Sequence, residues 1–233
     1  MESRNLCPTS IATILACRSI AHSFAENIFE LSHLRRGWNY QYAESLKKKV
    51  DEIIRQYFSG GQYQPLTEKM ELWREIMISA LTDLAIVRAA VKVDFKNDKS
   101  FQKEFFEKHG FSEYFSEAKN GDHLSLYRFV QQFATALTPE TRARITAGGL
   151  DVHVVDRILE DALEMREFNE CFELMKNPGM VGNEALKEVG QIYEEIKDIC
   201  RITTAYYYFE PAKRESFSFF KALRNLQPAG MLA

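Results

Sequence analysis

LTEKMELWREIMISALTDLAIVRAAV, residues 66–91, decides the fold class of this chain. Its large apolar side chains recur in steps of three or four residues, which keeps them on one side of an α-helix with its 3.6-residue turn. A β-strand would distribute the same side chains over both of its faces. The residues that share this side are Leu66, Met70, Trp73, Met77, Leu81, Leu84, Val87 and Val91.

Two further stretches show the same spacing. One holds Ile14, Cys17, Ala21, Phe24, Ile28 and Leu31, and the other holds Leu186, Val189, Tyr193, Ile196, Cys200, Thr203 and Tyr207. No stretch alternates apolar and polar residues for long enough to predict a strand. The sequence therefore predicts an all-α fold, an up-and-down bundle of about seven to eight helices. We expect its core to contain Trp73, Met77, Leu84, Leu186, Val189 and Ile196.

Glycine, proline and short polar residues mark the helix ends. The first helix is predicted from Ser10 to about Arg36, and the last begins at Pro211. We expect N-caps at Asp98 or Ser100, at Asp122, at Thr138 and at Asn183, and a kink or split at His109-Gly110. Helices are expected to end at Gly37, Gly60-Gly61, Asn120-Gly121, Gly148-Gly149 and Asn177-Pro178-Gly179.

The 233 residues suit one helical-bundle domain, 1–233. A medium helix, a long helix and a short phenylalanine-rich helix follow one another in 38–118 and again in 152–226. These segments are candidate pseudo-repeats. Amphipathic helices all share one period, however, so such matches also arise without duplication, and both interpretations stay open.

Charge and cysteine content exclude several classes of function. The 30 basic and 33 acidic residues are interspersed, so no basic excess predicts nucleic-acid binding. The four cysteines form no CxxC pair, which disfavours a disulfide framework or a zinc site and favours the reducing cytoplasm. No apolar run is long enough for a membrane span. Residues 11–25 resemble a signal peptide, but Arg18 and His22 interrupt the apolar region, so we favour a helix.

One short motif resembles a known family. The stretch His33-Leu34-Arg35-Arg36-Gly37-Trp38-Asn39-Tyr40-Gln41-Tyr42, with Asp83-Leu84-Ala85-Ile86-Val87-Arg88 further on, is similar to a Bacteroidetes family of helical proteins of unknown function. That family opens with Leu-Arg-x-Gly-x-x-aromatic-x-aromatic, and Trp38 replaces its usual acidic residue. The resemblance implies a bacterial helical protein and no particular activity.

Glu30 and His33 are the sharpest candidates for chemistry. A Glu and a His three residues apart share one helix face, the spacing of carboxylate-bridged di-iron bundles. Such a site needs a second pair and two further glutamates, and no other histidine has Glu three positions before it. We therefore predict no metal or other cofactor, and keep these two residues as the metal candidates.

The aromatic residues near the C-terminus are the candidates for binding. Consecutive residues point around a helix, so Tyr206, Tyr207, Tyr208 and Phe209 do not all fit against one neighbour. Short helices folding back to cover the core would account for them, and an exposed aromatic surface would predict a partner.

We therefore predict a soluble, non-enzymatic protein that acts through protein–protein contact, with self-association first. Its interface or ligand candidates are Tyr206, Tyr207, Tyr208, Phe209, Trp38 and Phe220. The alternative is a bundle holding an apolar or aromatic small molecule between Trp38, Trp73, Tyr207 and Phe220. The third hypothesis is a metal-dependent enzyme that uses Glu30 and His33.

Overall fold

A computed structural model of the chain describes residues 8–58, 64–169 and 184–226. Of these residues 84% are helical and none lies in a strand, so the predicted all-α class is confirmed. The α-helices are α1 (Pro8–Glu26), α2 (Ile28–Leu31), α3 (Tyr40–Ile53), α4 (Gln64–Asp94), α5 (Lys99–Lys108), α6 (Phe111–Lys119), α7 (His123–Ala136), α8 (Pro139–Ala147), α9 (Val152–Glu164), α10 (Glu184–Tyr206), α11 (Pro211–Ser216) and α12 (Phe219–Arg224). A π-helical turn, Ile54–Phe58, continues α3, and a 3-10 turn, Met165–Phe168, continues α9.

The described residues form more helices than the seven to eight predicted, in part because three predicted helices are each divided in two. The first breaks at Asn27 instead of continuing to Arg36, and the last breaks between Ser216 and Phe219. The expected split at His109-Gly110 is confirmed, since it separates α5 from α6. The predicted stops at Gly60-Gly61 and Asn177-Pro178-Gly179 and the cap at Asn183 lie outside the described residues.

Three predicted N-caps are confirmed by their hydrogen bonds. Asp98 accepts from the backbone N–H of Phe101 at 3.0 Å, and Asp122 accepts from that of Ser125 at 2.8 Å. The hydroxyl of Thr138 accepts from the N–H of Thr141 at 3.1 Å. Each bond satisfies a backbone donor that the first helical turn leaves without a partner.

Contacts divide the chain into two compact units. The first unit comprises Met1–Arg74 and Asn177–Ala233, and the second comprises Glu75–Lys176. These limits differ from those of the proposed pseudo-repeats 38–118 and 152–226, whose common origin stays a prediction.

In the first unit, α1 packs against α3, α10 and α12. Five of the six predicted core residues of the chain are buried, and in the first unit these are Trp73, Val189 and Ile196. The prediction was wrong for Leu186, which is half-buried in the first turn of α10, where its neighbour Ala185 takes the buried position. The hydrophobic period correctly identified the buried face of α10, but it did not predict which residue of the first turn is buried.

The second unit has an aromatic core. The rings of Phe105, Phe111, Phe129 and Phe133 are nearly or fully buried, and Phe111 meets Phe129 edge-on with ring centroids 4.9 Å apart. His109 stacks on Phe105 at 4.2 Å and donates its Nδ1–H to the carbonyl oxygen of that residue at 2.9 Å. Edge-on and offset ring pairs of this kind stabilise a core beyond the area that they bury.

Gly110, between α5 and α6, has a positive φ of 81°. A Cβ added there would lie 3.1 Å from the Phe129 ring and 3.2 Å from the Tyr114 ring. Gly110→Ala should therefore lower the free energy of unfolding by about 1–3 kcal/mol, through backbone strain and crowding. Urea denaturation followed by circular dichroism measures this change.

The matched control is Gly37→Ala, because a Cβ at Gly37 has nothing within 4 Å and the backbone is not left-handed there. We expect a change within about 0.5 kcal/mol for the control. Equal stability of Gly110→Ala and the parent would contradict the described junction.

Candidate functional site: the aromatic end of the first unit

Two chain junctions meet at one end of the first unit. Helix α3 runs antiparallel to α1, since Arg18 pairs with Asp51 at 2.9 Å while Phe24 meets the Tyr42 ring. It also runs antiparallel to α10, as Tyr42 donates to Glu195 at 2.9 Å and Tyr57 to Glu188 at 3.1 Å. Helices α1 and α10 are therefore parallel, and the segments that follow them, 27–39 and 207–218, lie at the same end.

Tyr207 joins these two segments. Its ring is fully buried and stacks on Phe217 with centroids 5.8 Å apart. Its hydroxyl donates to Glu30 Oε2 at 2.9 Å, and Lys213 Nζ donates to both carboxylate oxygens of Glu30 at 2.8 Å. Lys213 also lies 5.1 Å from the centre of the Tyr207 ring. The corner between α10 and α11 is thus tied to α2 by a buried ring and by charge-assisted hydrogen bonds.

The hydrogen bonds at this corner keep Glu30 ionised. Those from Lys213 and Tyr207 lower the pKa of Glu30, and the bond to Glu30 raises the pKa of Lys213. Burial and the Glu30 carboxylate raise the pKa of Tyr207, so its hydroxyl stays protonated. The shifts at Glu30 and Lys213 both favour the charged forms, as expected for two groups in a fixed ion pair.

The other three residues of the aromatic run point outward. Tyr206 is 47% exposed, Tyr208 63% and Phe209 90%. Phe209 and Tyr208 meet edge-on, with ring centroids 5.0 Å apart. Since Tyr207 takes the buried direction of the last turn of α10, its neighbours have to leave the core. The expectation that part of the run is exposed is confirmed, since neighbouring helices do not cover these three residues.

Sequence reasoning missed other residues at this end. Phe29 is 84% exposed and Tyr40 is 71% exposed, one in α2 and one at the start of α3. A signal for Phe29 was present, because it falls between Ile28 and Leu31 and outside the apolar stripe that they share. We define the aromatic end by its exposed side chains, which are Phe29, Tyr40, Tyr206, Tyr208, Phe209, Arg35, Arg36 and Arg214.

Of the four residues proposed to hold a ligand, Trp38, Trp73 and Tyr207 are buried, and their role in binding stays a prediction. Phe24 meets Trp38 edge-on at 5.0 Å. Phe220 is half-buried. A cavity of about 200 Å³ lies elsewhere in this unit, lined by Lys49, Glu52, Ile53, Gln56, Glu188, Gln191 and Ile192. Its volume is below the roughly 300–1,000 Å³ typical of ligand sites, and its wall includes none of the four predicted residues.

The two metal candidates have different surroundings. Both oxygens of Glu30 bind Lys213, while His33 is exposed beside the ring of Phe29. Within 8–58, 64–169 and 184–226, no group of three or more His, Cys, Asp or Glu residues is arranged to hold a metal ion. Glu30 would have to release a lysine before it bound a metal, so its place in the structure favours the ion pair.

The second unit contains a separate charged cluster, in which two carboxylates are buried and the arginine is exposed. Arg157 of α9 donates to both oxygens of Asp83 of α4, at 2.7 and 2.8 Å. Asp161 is 7% exposed, and burial raises its pKa to about 6. A bidentate pair of this kind orients two helices. We assign this pair a structural role.

Comparison with protein-family models, with curated proteins and with solved structures finds no match. The similarity of the Leu34–Tyr42 motif to a Bacteroidetes family therefore stays a prediction. Among the described helices, none combines the length and the apolar character needed to cross a membrane.

Proposed function

We propose that this chain acts through protein–protein contact and that the aromatic end is its contact surface. The observation that carries the proposal is the exposure of Tyr206, Tyr208 and Phe209, which form one run with the buried Tyr207. Exposed aromatic side chains, and arginine beside them, are enriched at protein interfaces.

The anchoring of Tyr207 adds support. The bonds from Tyr207 and Lys213 to Glu30 fix the corner that carries the exposed rings. A surface that is already ordered loses less conformational entropy when it binds. The aromatic end is thus a rigid surface, which is suited to recognising a partner.

The proposal places the protein in the cytoplasm. Cys17 and Cys200 are buried free thiols on α1 and α10, and burial raises the pKa of Cys200 to about 12. Thiols in this state suit a reducing compartment and act as small apolar core residues.

Photo-crosslinking tests the proposal directly. The photoreactive residue p-benzoylphenylalanine replaces Phe209 in one variant and Val93 in another, as a control. Val93 is a 67% exposed residue of the second unit. In cells, irradiation should join the Phe209 variant to a protein and leave the control free of that adduct. The same adducts at both positions, or none at Phe209, would overturn the proposed function.

The mass of the adduct distinguishes the two kinds of partner. An adduct of twice the 27.0 kDa chain mass identifies a second copy, the partner that the sequence predicted first. Light scattering of the purified parent and of the Tyr206→Ser, Tyr208→Ser variant checks that result. A dimer of the parent that the double substitution disrupts would place self-association at the aromatic end.

A further inference from the structure

We propose that the aromatic end recognises an acidic segment of another protein, an inference that rests on the proposed contact function and names the chemistry of the partner. Three arginines lie among the exposed rings, Arg35, Arg36 and Arg214. None of them forms an ion pair with a carboxylate of the described residues. Arg35 lies over the Trp38 ring and Arg214 over the Tyr208 ring, each at 5.9 Å.

Three carboxylates at this end are already paired with lysines. Glu30 and Glu210 pair with Lys213, at 2.8 and 3.3 Å, and Glu215 pairs with Lys221 at 3.2 Å. The two lysines therefore offset the charge of these three acids, and the three guanidinium groups are not used in those pairs. A planar guanidinium on an aromatic ring can still bind a carboxylate through its edge, in two parallel hydrogen bonds.

Charge also distinguishes the occupants of this surface. A second copy bound on a two-fold axis would bring the same arginines of both chains together, which costs energy unless acids intervene. A partner with carboxylates beside apolar side chains matches both the arginines and the exposed rings. The chemistry of the surface thus favours an acidic, partly apolar segment of a different protein.

Fluorescence anisotropy tests this inference on the full chain. The probe is a fluorescein-labelled peptide of about 15 residues composed of Glu, Leu and Ser in equal parts, and its counterpart has Gln in place of every Glu. We expect the acidic peptide to bind at least about tenfold more tightly than the Gln peptide, and more weakly as NaCl is raised.

Matched variants assign the binding to this surface. Arg35→Gln, Arg36→Gln, Arg214→Gln should weaken binding of the acidic peptide at least about tenfold, the loss expected for several charge-assisted contacts. The Lys variant at the same positions retains the charge and should keep most of the affinity. The control Lys96→Gln, Lys99→Gln, Lys103→Gln removes the same charge from the second unit and should bind like the parent.

Four results of the binding and association measurements would overturn the inference. The first is equal binding of the two peptides, and the second is an equal loss of affinity in the control variant. The third is binding to phosphatidylcholine–phosphatidylserine vesicles and not to the acidic peptide, which would make the surface a membrane contact. The fourth is a dimer that the three Gln substitutions disrupt, in the absence of peptide binding. A crosslink at Phe209 to a protein without acidic segments would refute this inference and leave the proposed function intact.

Discussion

Replacing Trp73 by alanine should lower the free energy of unfolding by about 3–5 kcal/mol, as for other large-to-small changes at fully buried aromatic residues. Trp73 has no exposed surface and lies in the middle of the apolar stripe of α4. Alanine would remove the indole ring and leave a cavity that the neighbouring side chains fill only in part. Urea denaturation followed by circular dichroism at 222 nm measures the change.

The neighbouring residue provides a control for this substitution. Leu72 is 38% exposed on the other side of the same helix, and Leu72→Ala should cost less than about 1 kcal/mol. Trp38 is the other tryptophan of the chain, so in Trp73→Ala the tryptophan fluorescence comes from Trp38 alone and reports the unfolding of the first unit. If Trp73→Ala unfolds at the same urea concentration as the parent, Trp73 is not part of the core of the first unit.

The second large effect concerns the pH dependence of stability. Burial lowers the pKa of His123 to about 4, and the nearby Asp122 carboxylate offsets part of that effect. In the unfolded chain the imidazole takes up its proton near its ordinary pKa of about 6.5. The stability that neutral His123 provides is therefore complete above pH 6.5 and is lost as the pH falls toward 4. The full loss is about 3 kcal/mol.

The His123→Gln variant isolates this contribution, because glutamine does not titrate. Between pH 7 and pH 4 the parent should lose about 3 kcal/mol of stability relative to the variant. The comparison with a variant is needed because Asp161 has the opposite effect. Its pKa is raised to about 6, so its protonation increases the stability of the fold as the pH falls. Parallel pH profiles of parent and variant would contradict the burial of His123.

His109 should act in the same direction. Burial lowers its pKa as well, and its Nδ1–H is already committed to the Phe105 carbonyl. Protonation would place a positive charge on Nε2, a buried atom without a hydrogen-bond partner among the described residues. His109→Gln should therefore also reduce the loss of stability at low pH, as the same urea titrations will show.

The sequence predicted the fold class well, because the hydrophobic period is a local property. Residues three or four apart share a helix face whatever the rest of the chain does, so the stripe of α4 and that of α1 could be assigned before any contact was known. Asp98, Asp122 and Thr138 were predicted as caps for the same reason, since an N-cap bonds to a backbone N–H only three residues further on.

The candidate site could be predicted only in part. Four consecutive aromatic residues implied that some are exposed, and Tyr206, Tyr208 and Phe209 are. The apolar stripe that ends at Tyr207 also indicated that this residue would be the buried one, and it is. The pattern did not show the partner of its hydroxyl, which is the carboxylate of Glu30, 177 positions away in the sequence.

By itself, the sequence determined that this chain is helical, where most of its helices begin, and which side of each long helix is buried. Those properties follow from backbone geometry and from side chains within a turn or two of one another. Only the tertiary structure decided that the segments after α1 and α10 meet, that Glu30 pairs with Lys213 rather than sharing a metal with His33, and that Arg35, Arg36 and Arg214 lie at one end with exposed rings. These arrangements join residues more than 150 positions apart. The local sequence does not show that such distant residues are neighbours, because their proximity depends on how the helices pack and bring their ends together.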